Sequence, residues 1–411
     1  MNDEELFVKE KQFTTRAVHA GERADFSQIN SVVTPIYPSV GYTFADSHEL
    51  DAVLGGEQPG YVYSPRYANP TVAALETAVA NLESAEAAIA LPSGMAAVHL
   101  ALLGAGVRAG SHVVVAADIY GATYSLVQGI FTELGATVHL VDVLDLKKIE
   151  AILAQEKVSA LLVETISNPL MKVADLPKLA ELAHVHHAKL LVDNTFCSPY
   201  LCNPLTFGAD MVIHSATKFI GGHGDVMAGL VATSAELKAE MVRLNKLLGS
   251  SLGPFEAWLA HRGLKTLPLR MRQQCQNALH IASWLQTHPK ISQVNYAFLP
   301  SHPQFELMNQ LTNGKGGGAV FSFEVRGAGK PEIFALMDAL ELIQPATSLG
   351  DIYSLTLYPA ISSHRSLTPA ERHKLGIGDG LLRLSAGIED VADIQADLAQ
   401  ALNKIGHGFD G

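Results

Sequence analysis

Short, continuous apolar runs recur along the middle of the chain, separated by stretches in which apolar residues return every three to four positions. The runs predict β-strands at residues 87–91, 112–116, 137–141, 160–164, 189–193, 210–214 and 230–233. The periodic stretches between them predict amphipathic helices. Strands that are apolar at every position are typical of a sheet buried on both faces. Their alternation with helices predicts an α/β fold with a mostly parallel sheet.

Two further parts flank this alternating region. The N-terminal residues are interrupted by prolines and glycines and show no long helical period, so we expect an irregular arm that contacts a neighbouring subunit. A long periodic stretch predicts a helix at 254–285, and a smaller α/β unit follows it. We therefore divide the chain into an arm at 1–65, a large domain at 66–260 and a smaller C-terminal domain at 261–411.

Composition and charge narrow the classes of function. Hydrophobic residues occupy 48% of the 411 positions, which is enough to bury large cores. Lysine and arginine number 29 against 41 aspartates and glutamates, so the formal net charge is −12. Nucleic acids and anionic membrane surfaces attract basic proteins, and we expect neither as a partner. A local basic pocket for a small anion is still compatible with this overall charge.

The cysteine count and the N-terminal sequence bear on location. The chain has three cysteines and no Cys-x-x-Cys pair, so we expect neither a disulfide framework nor a metal site. The N-terminus is charged and lacks the apolar core of a signal peptide. No apolar run reaches the ~18 residues of a transmembrane helix. We therefore expect a cytoplasmic protein whose thiols stay reduced.

The segment that follows the predicted strand at 210–214 carries the clearest chemistry. Ser215, Thr217 and Lys218 come directly after the strand, and a glycine-rich loop follows them. Ligands of open α/β sheets bind at the carboxyl ends of strands. Two hydroxyls beside an amine suit a phosphate-bearing cofactor, and a desolvated lysine can form a Schiff base. The alternative is a surface lysine that follows a strand without a chemical role.

Asp193 ends the preceding predicted strand, so Asp193 and Lys218 mark the ends of successive strands. A carboxylate in that place suits a protonated pyridine nitrogen, as in pyridoxal phosphate (PLP). The alternative is an aspartate that caps a helix or simply ends a strand. The presence of both residues at consecutive strand ends favours the cofactor interpretation.

Three other strand ends carry groups of the same kind. Gly94 and Met95 begin a predicted helix, and the N–H groups of a helix N-terminus bind phosphate. Tyr120 follows the next strand, where its ring can stack on a cofactor. Glu164 ends a further strand, and Asn168 lies shortly after it. Because the carboxyl ends of parallel strands meet at one edge of a sheet, we expect these residues to converge on one site.

With these residues in view, the chain resembles the Cys/Met-metabolism family of PLP-dependent enzymes. That family includes cystathionine γ-synthase, cystathionine lyases, methionine γ-lyase and O-acylhomoserine sulfhydrylases. The similarity runs from about residue 14 to residue 402, and the block at 192–225 is its most specific part. The resemblance implies a fold-type I architecture like that of aspartate aminotransferase, with PLP as cofactor. It also implies a homotetramer, a dimer of dimers with shared active sites.

The resemblance assigns roles to individual positions. Lys218 would bind PLP covalently, Asp193 would pair with its pyridine nitrogen, and Tyr120 would stack on the ring and assist proton transfer. Glu164 and Asn168 would lie near the ring and its O3′ oxygen. The phosphate would be held by a set of small and polar residues, namely Gly94, Met95, Ser215, Thr217 and, from the neighbouring subunit, Tyr63 and Arg66.

The resemblance also implies how an amino-acid substrate is held. Arg383, in the predicted strand at 381–385, would grip the α-carboxylate through a bidentate pair, helped by Ser348 and Asn168. The alternative for Arg383 is a surface ion pair, which its apolar strand disfavours. Tyr353 would face the far end of the substrate.

The chain departs from the family pattern at several positions. Pro65 adds one residue between Tyr63 and Arg66, so Arg66 carries over better than Tyr63. Ala122 and Lys246 stand where methionine γ-lyases usually carry a cysteine and an acidic residue, which weakens that specific assignment. Tyr353 replaces a glutamate that could recognise the distal amino group of cystathionine, which favours an uncharged substrate tail.

The leading hypothesis is therefore a PLP-dependent carbon–sulfur lyase that performs γ-elimination on methionine, homocysteine or a similar amino acid. It would release a thiol, ammonia and a 2-oxo acid. One alternative is γ-replacement, as in cystathionine γ-synthase or an O-acylhomoserine sulfhydrylase. A more remote alternative is a non-catalytic binding protein on the same fold, which the presence of Lys218, Asp193, Tyr120 and Arg383 disfavours.

Overall fold

The computed structural model describes residues 9–22, 31–64, 68–363, 365 and 368–405. Within them, the apolar runs of the sequence fold into one large sheet of seven strands. These strands are β1 (Ala87–Leu91), β2 (His112–Ala116), β3 (Thr137–Val141), β4 (Val158–Glu164), β5 (Lys189–Asp193), β6 (Met211–Ser215) and β7 (Gly229–Thr233). Their order across the sheet is β1-β7-β6-β5-β4-β2-β3.

The large sheet is mostly parallel, as the sequence predicts. Strands β2 to β6 pair in parallel, whereas β7 runs antiparallel to both of its neighbours, β1 and β6. Its central strands are buried on both faces, which explains why they are apolar at consecutive positions. The carboxyl ends of β2, β4, β5 and β6 consequently meet at one edge of the sheet, where the predicted chemistry lies.

A second, smaller sheet has its own hydrophobic core. Its five strands are β8 (Ile291–Asn295), β9 (Val320–Val325), β10 (Gln344–Pro345), β11 (Leu355–Leu357) and β12 (Leu381–Ser385), in the order β10-β11-β12-β9-β8. All pairs are antiparallel except β10 with β11. The predicted domain boundary after residue 260 falls inside a helix, Pro254–Leu264, that packs on the helix Pro70–Leu82 of the large domain, and it stays a prediction.

Helices cover both faces of the large sheet and the outer face of the small one. They are α1 (Phe13–His19), α2 (Ser47–Gly55), α3 (Pro70–Leu82), α4 (Gly94–Gly104), α5 (Gly121–Ser125), α6 (Leu146–Gln155), α7 (Leu176–Val185), α8 (Ser198–Leu201), α9 (Ala235–Leu248), α10 (Pro254–Leu264), α11 (Leu267–Gln286), α12 (Phe305–Thr312), α13 (Lys330–Ala339), α14 (Pro369–Lys374) and α15 (Val391–Lys404). None of the helices in the described ranges has the length and apolar character needed to cross a bilayer.

The long helix expected at 254–285 is in fact two helices. Helix α10 ends at Leu264, and α11 begins three residues later, at Leu267, with Pro268 in its first turn. Proline lacks an N–H and its ring collides with the carbonyl four residues earlier, so it fits a first turn but interrupts a continuous helix. The three- to four-residue spacing of buried apolar positions continues across the break, because the buried faces of α10 and α11 follow one another along the chain.

The N-terminal arm is irregular except for α1 and α2, and it is fastened to α3 of its own chain. Asn69 caps α3 through Thr71 N and Val72 N, and its side-chain amide donates to Tyr37 O at 2.8 Å. Thr71 Oγ1 donates to Pro35 O at 2.9 Å and accepts from Tyr37 N at 2.9 Å. These bonds hold the segment around residues 35–37 against the start of α3.

A buried ion pair joins the end of α3 to the strand that carries the candidate cofactor lysine. His214 Nε2 lies 2.6 Å from Glu83 Oε1, and both side chains are inaccessible to solvent. Glu83 also accepts hydrogen bonds from Asn194 Nδ2 and Asn203 Nδ2, each at 3.2 Å. The carboxylate therefore connects α3, β6 and the segment after β5, directly behind the strand ends.

Because the pair is buried, Glu83→Ala leaves His214 without its carboxylate partner and removes one of the acceptors of the Asn194 and Asn203 amides. We expect a loss of about 3–5 kcal/mol in the free energy of unfolding, measured by urea denaturation at fixed protein concentration. Lys178→Ala, which breaks the exposed Lys178–Glu181 pair, is the control and should leave the midpoint unchanged. A loss for Glu83→Ala as small as that of the control would contradict the structural role of the pair.

Candidate active site

The residues that the sequence analysis selected meet at the carboxyl edge of the large sheet. Glu164 ends β4, Asp193 ends β5 and Ser215 ends β6, with Lys218 three residues later. Tyr120 lies between β2 and α5, where it immediately precedes the helix. Because the strands are parallel and adjacent, these loops leave the sheet side by side, and residues that are distant in sequence face one another.

Lys218 is held by a loop of the small sheet. Its Nζ donates to Ser348 Oγ at 3.0 Å. Gly350, at φ 81°, lies so close that a Cβ there would stand 2.7 Å from Phe219 N and 3.1 Å from Lys218 C. Only glycine combines this backbone conformation with such an approach, so the position of Ser348 depends on Gly350.

The electrostatic environment of Lys218 favours a neutral amine. Burial lowers the pKa of Lys218, and the positive charge of Arg383 lowers it further, whereas the carboxylate of Asp351 opposes both effects. Asp351 is buried, and its carboxylate lies against the backbone of Gly224. A lysine with a depressed pKa can act as a nucleophile or as a base at a pH where an ordinary lysine is charged.

A cradle for a small anion lies next to this lysine, at the start of α4. Ser93 caps the helix by accepting from Ala96 N at 3.1 Å, which leaves the N–H groups of Gly94 and Met95 as first-turn donors. A Cβ on Gly94 would stand 2.9 Å from Ser215 Cβ, so glycine lets the helix end approach β6. The hydroxyl of Thr217 instead bonds the backbone of Ala228, donating to its O at 3.3 Å and accepting from its N at 3.1 Å.

Asp193 is oriented by a residue that the sequence analysis did not select, Thr195. Asp193 Oδ1 accepts from Thr195 N at 3.0 Å and from Thr195 Oγ1 at 2.5 Å, and the same hydroxyl accepts from Ser215 N at 2.9 Å. Burial raises the pKa of Asp193, whereas the two Thr195 bonds and nearby His214 oppose the rise. An aspartate often accepts a hydrogen bond from the backbone or hydroxyl of a threonine two residues later. The Asp-x-Thr spacing is therefore the sequence feature that could have indicated the role of Thr195.

Arg383 is buried in β12 with an incomplete set of partners. Its Nη2 donates to Ser348 O at 3.0 Å and its Nη1 to Asn168 Oδ1 at 3.4 Å, while Nε has no hydrogen-bond partner. No carboxylate in the described ranges forms an ion pair with it. Burial lowers the pKa of Arg383 to about 10. A guanidinium in this condition is suited to a carboxylate ligand.

Glu164 links Tyr120 and Asn168 at the mouth of the site. Glu164 Oε1 accepts from Tyr120 N at 2.9 Å, and the backbone of Asn168 lies close enough to oppose the rise that burial causes in the pKa of the Glu164 carboxyl. The side chain of Tyr120 remains 46% exposed, and its phenol interacts electrostatically with Arg383. The backbone of Tyr120 is therefore fixed, while its ring faces the open site.

Two of the predicted site residues, Tyr63 and Tyr353, have no hydrogen bond to this cluster in the described part of the chain. Tyr63 is 51% exposed and pairs with Gly41 of the arm. Tyr353 is 56% exposed on the loop after Gly350, and no hydrogen bond joins it to Lys218 or Arg383. Arg66 lies outside the described residues.

The chain is similar to characterised proteins over almost its whole length. Residues 14–403 match the sequence model of a family described as Cys/Met metabolism PLP-dependent enzyme. An O-succinylhomoserine sulfhydrylase of Pseudomonas aeruginosa is 42% identical over 390 residues, which cover 95% of each chain. An L-methionine gamma-lyase of Fusobacterium nucleatum subsp. nucleatum is 40% identical over 404 residues, or 97% of this chain and 100% of the relative. A solved structure from Campylobacter jejuni that contains N′-pyridoxyl-lysine-5′-monophosphate has a TM-score of 0.89 at 29% identity, covering 96% of this chain and 100% of that one.

The arrangement provides the groups that pyridoxal phosphate needs. Lys218 offers an amine, Asp193 an oriented carboxylate, and the start of α4 with Ser215 an anion cradle in which a Cβ on Gly94 would not fit. Two polar atoms, Arg383 Nε and Glu164 Oε2, are sealed from solvent without a hydrogen-bond partner, as expected where a ligand supplies one. Among the described residues, no group of three His, Cys, Asp or Glu side chains could hold a metal ion.

The charges around Lys218 predict a pH dependence that can be measured during cofactor binding. Only the neutral amine attacks the aldehyde of PLP, so the binding rate should rise with pH and reach half-maximum below the pKa of a free lysine. Asp351→Asn removes a charge that raises the pKa of Lys218 and should move the midpoint to lower pH. Arg383→Leu should move it to higher pH. Stopped-flow absorbance of the apoprotein mixed with PLP measures both shifts.

Asp225→Asn is the control, because Asp225 is exposed and lies on the loop beside Asp351. It should leave the midpoint close to that of the unmodified protein. Borohydride reduction followed by peptide mapping should then locate the cofactor on Lys218. Shifts in the opposite directions, or labelling at Lys172 or Lys246, would contradict the assignment.

Proposed function

The chain belongs to the Cys/Met-metabolism family of PLP-dependent enzymes, and we propose that it cleaves the Cγ–sulfur bond of methionine, homocysteine or a similar amino acid. The products are a thiol, ammonia and a 2-oxo acid. The observation that carries this proposal is the bridge that Ser348 forms between the amine of Lys218 and the guanidinium of Arg383. Its hydroxyl accepts from Lys218 Nζ and its carbonyl accepts from Arg383 Nη2, both at 3.0 Å.

This bridge sets a base beside a carboxylate receptor. An amino acid whose α-carboxylate pairs with Arg383 presents its Cα to the amine of Lys218. Arg383 lacks an acidic partner in the described chain, so an arriving carboxylate meets a desolvated and unpaired guanidinium. Asn168, which bonds Nη1 of Arg383, helps to fix the plane of the guanidinium.

The chain's own residues supply positioning and proton transfer. When bound, pyridoxal phosphate supplies the electron sink that stabilises negative charge at the substrate Cα. Lys218 Nζ accepts the Cα proton, and its depressed pKa makes the neutral amine available at a lower pH than in an ordinary lysine. The phenol of Tyr120, beside Arg383, donates a proton to the departing thiolate. Asp193, oriented by Thr195, would hold the protonated ring nitrogen of the cofactor through a carboxylate oxygen.

The preference for an uncharged tail follows from Tyr353. A tyrosine cannot neutralise a distal ammonium, and burying such a group without a partner costs a few kcal/mol. The similarity to L-methionine gamma-lyase supports elimination on an uncharged tail. The similarity to O-succinylhomoserine sulfhydrylase supports a second candidate, γ-replacement with a thiol on an O-acylhomoserine.

We further propose a cytoplasmic homotetramer, a dimer of dimers whose active sites are shared between subunits. In this assembly Tyr63 and Arg66 of the arm complete the phosphate cradle of the neighbouring subunit. The arm presents apolar side chains to solvent that an adjacent subunit would cover, among them Val32 (81% exposed) and Val40 (53% exposed). The three free, buried cysteines support a reducing location.

The substrate preference is testable with one assay of 2-oxo acid release. Wild-type enzyme should show a higher kcat/KM for methionine or homocysteine than for cystathionine. Tyr353→Glu should shift this ratio toward cystathionine by tenfold or more, or about 1.4 kcal/mol of differential transition-state binding. Tyr353→Phe, which adds no charge, is the control and should leave the ratio near that of wild type.

If the wild-type enzyme prefers cystathionine and Tyr353→Glu leaves that preference unchanged, the proposal that Tyr353 selects an uncharged substrate tail is refuted. The same assay with O-succinylhomoserine or O-acetylhomoserine and an added thiol separates the two candidate reactions. Thioether formation that outpaces release of the 2-oxo acid would make γ-replacement the function.

The shared site predicts complementation between two inactive variants. A mixture of Arg66→Ala and Lys218→Ala subunits should recover up to about a quarter of wild-type activity. Half of randomly mixed dimers are hybrids, and each hybrid contains one site that carries neither change. Each variant alone, taken through the same exchange procedure, is the control. Absence of recovery after mass spectrometry has verified hybrid dimers would show that Arg66 does not act across the interface.

A further inference from the structure

Two carboxylates lie side by side at the strand ends of the site. Glu164 and Asp193 are register partners at the last positions of the parallel strands β4 and β5. Both face the site, and the Oε2 atom of Glu164 is inaccessible to solvent. Adjacent carboxyl groups in a poorly hydrated site do not both ionise readily, so one proton is shared between them or stays on one of them.

Hydrogen bonds distinguish the two groups. Asp193 Oδ1 receives an N–H and a short O–H bond from Thr195, and nearby His214 further favours its ionised form. Glu164 Oε1 accepts from Tyr120 N, whereas Oε2 is buried without a hydrogen-bond partner. The hydrogen bonds therefore stabilise the negative charge on Asp193 more than on Glu164. The proton of the pair is best placed on Oε2 of Glu164, which has no hydrogen-bond donor beside it.

The other charges around Glu164 do not reverse this assignment. Asp118, in the segment before Tyr120, adds a second carboxylate that faces Glu164. Lys172 is the nearby amine, but it pairs with Asp142 at 2.9 Å and with Asp118 at 3.5 Å. Arg383 reaches this region through Asn168 and bonds its side-chain oxygen. Burial and the charge of Asp193 together raise the pKa of Glu164 well above its ordinary range.

We propose that Glu164 is a neutral carboxylic acid whose Oε2–H donates a hydrogen bond to the bound cofactor, while Asp193 carries the single negative charge of the pair. The inference deepens the proposed function and rests on it for the identity of the cofactor. A buried hydroxyl donor without an acceptor is costly, and a ligand atom at this position removes that cost. Glu164 thereby fixes Tyr120 through one oxygen and the cofactor through the other.

Infrared spectroscopy tests the protonation state directly. At neutral pH the wild-type protein should show the carbonyl stretch of a protonated carboxylic acid, and labelling the glutamate carboxyl carbons isotopically should shift it. Glu164→Gln should lose this band. Asp193→Asn removes the neighbouring charge, so the band should titrate away at a lower pH than in wild type. A wild-type spectrum that contains only carboxylate bands at neutral pH would overturn the proposal.

Cofactor affinity tests the donor role by a second route. The amide of Glu164→Gln accepts from Tyr120 N and donates in place of the O–H, so its Kd for PLP should stay within about threefold of wild type. Glu164→Met has similar size and no donor, and its Kd should rise by about tenfold or more. Equal losses in both variants would refute the donor role. An incorrect substrate assignment would instead abolish turnover with the proposed amino acids and leave the infrared band and both affinities as expected.

Discussion

The contact between the Ser348–Gly350 loop and the backbone of Lys218 and Phe219 is the interaction on which the site depends. It joins the small sheet to the large one at the point where the amine and the guanidinium meet. Gly350 permits the approach because a Cβ there would collide with the backbone of Phe219. The amine of Lys218, held by the large sheet, and the guanidinium of Arg383, held by the small sheet, are thus kept in position by one loop.

Around this contact lie two basic groups and two acidic groups, and two of the four, Arg383 and Glu164, have a buried polar atom without a hydrogen-bond partner, as expected in a site that binds polar ligands. Burial lowers the pKa of both Lys218 and Arg383, and the positive charge of Arg383 lowers the pKa of Lys218 further. Glu164 and Asp193 form the corresponding acidic pair on the neighbouring strands. Behind them, the buried Glu83–His214 pair ties β6 to α3, so the end of the strand that precedes Lys218 is held from the far side.

Much of this arrangement is predictable from the sequence because its signals are local. The strands β1, β2, β3, β5 and β12 have the bounds that their apolar runs predict, since each run is bordered by turn or polar residues. The meeting of the polar groups at the strand ends is likewise predictable, because parallel pairing brings the carboxyl ends of the strands to one edge of the sheet. The break between α10 and α11 was also signalled locally, by Pro268, but the continuous apolar period concealed it.

Other features depend on contacts between distant segments, which no local pattern reveals. The two-residue strand β10 and the short β11 exist only through their pairing with each other and with β12. Asp351 lies more than a hundred residues from Lys218 in sequence, and only the fold brings its charge to bear on that amine. Arg383 was recognisable as a buried cation, but the absence of an acidic partner for it in the described chain became visible only in three dimensions. If the α-carboxylate of a substrate pairs with Arg383, as proposed, that substrate binds the folded state alone and stabilises it by mass action. Resistance to heat and proteolysis would then rise with the concentration of the free amino acid, and the site would couple the lifetime of the folded chain to its substrate supply.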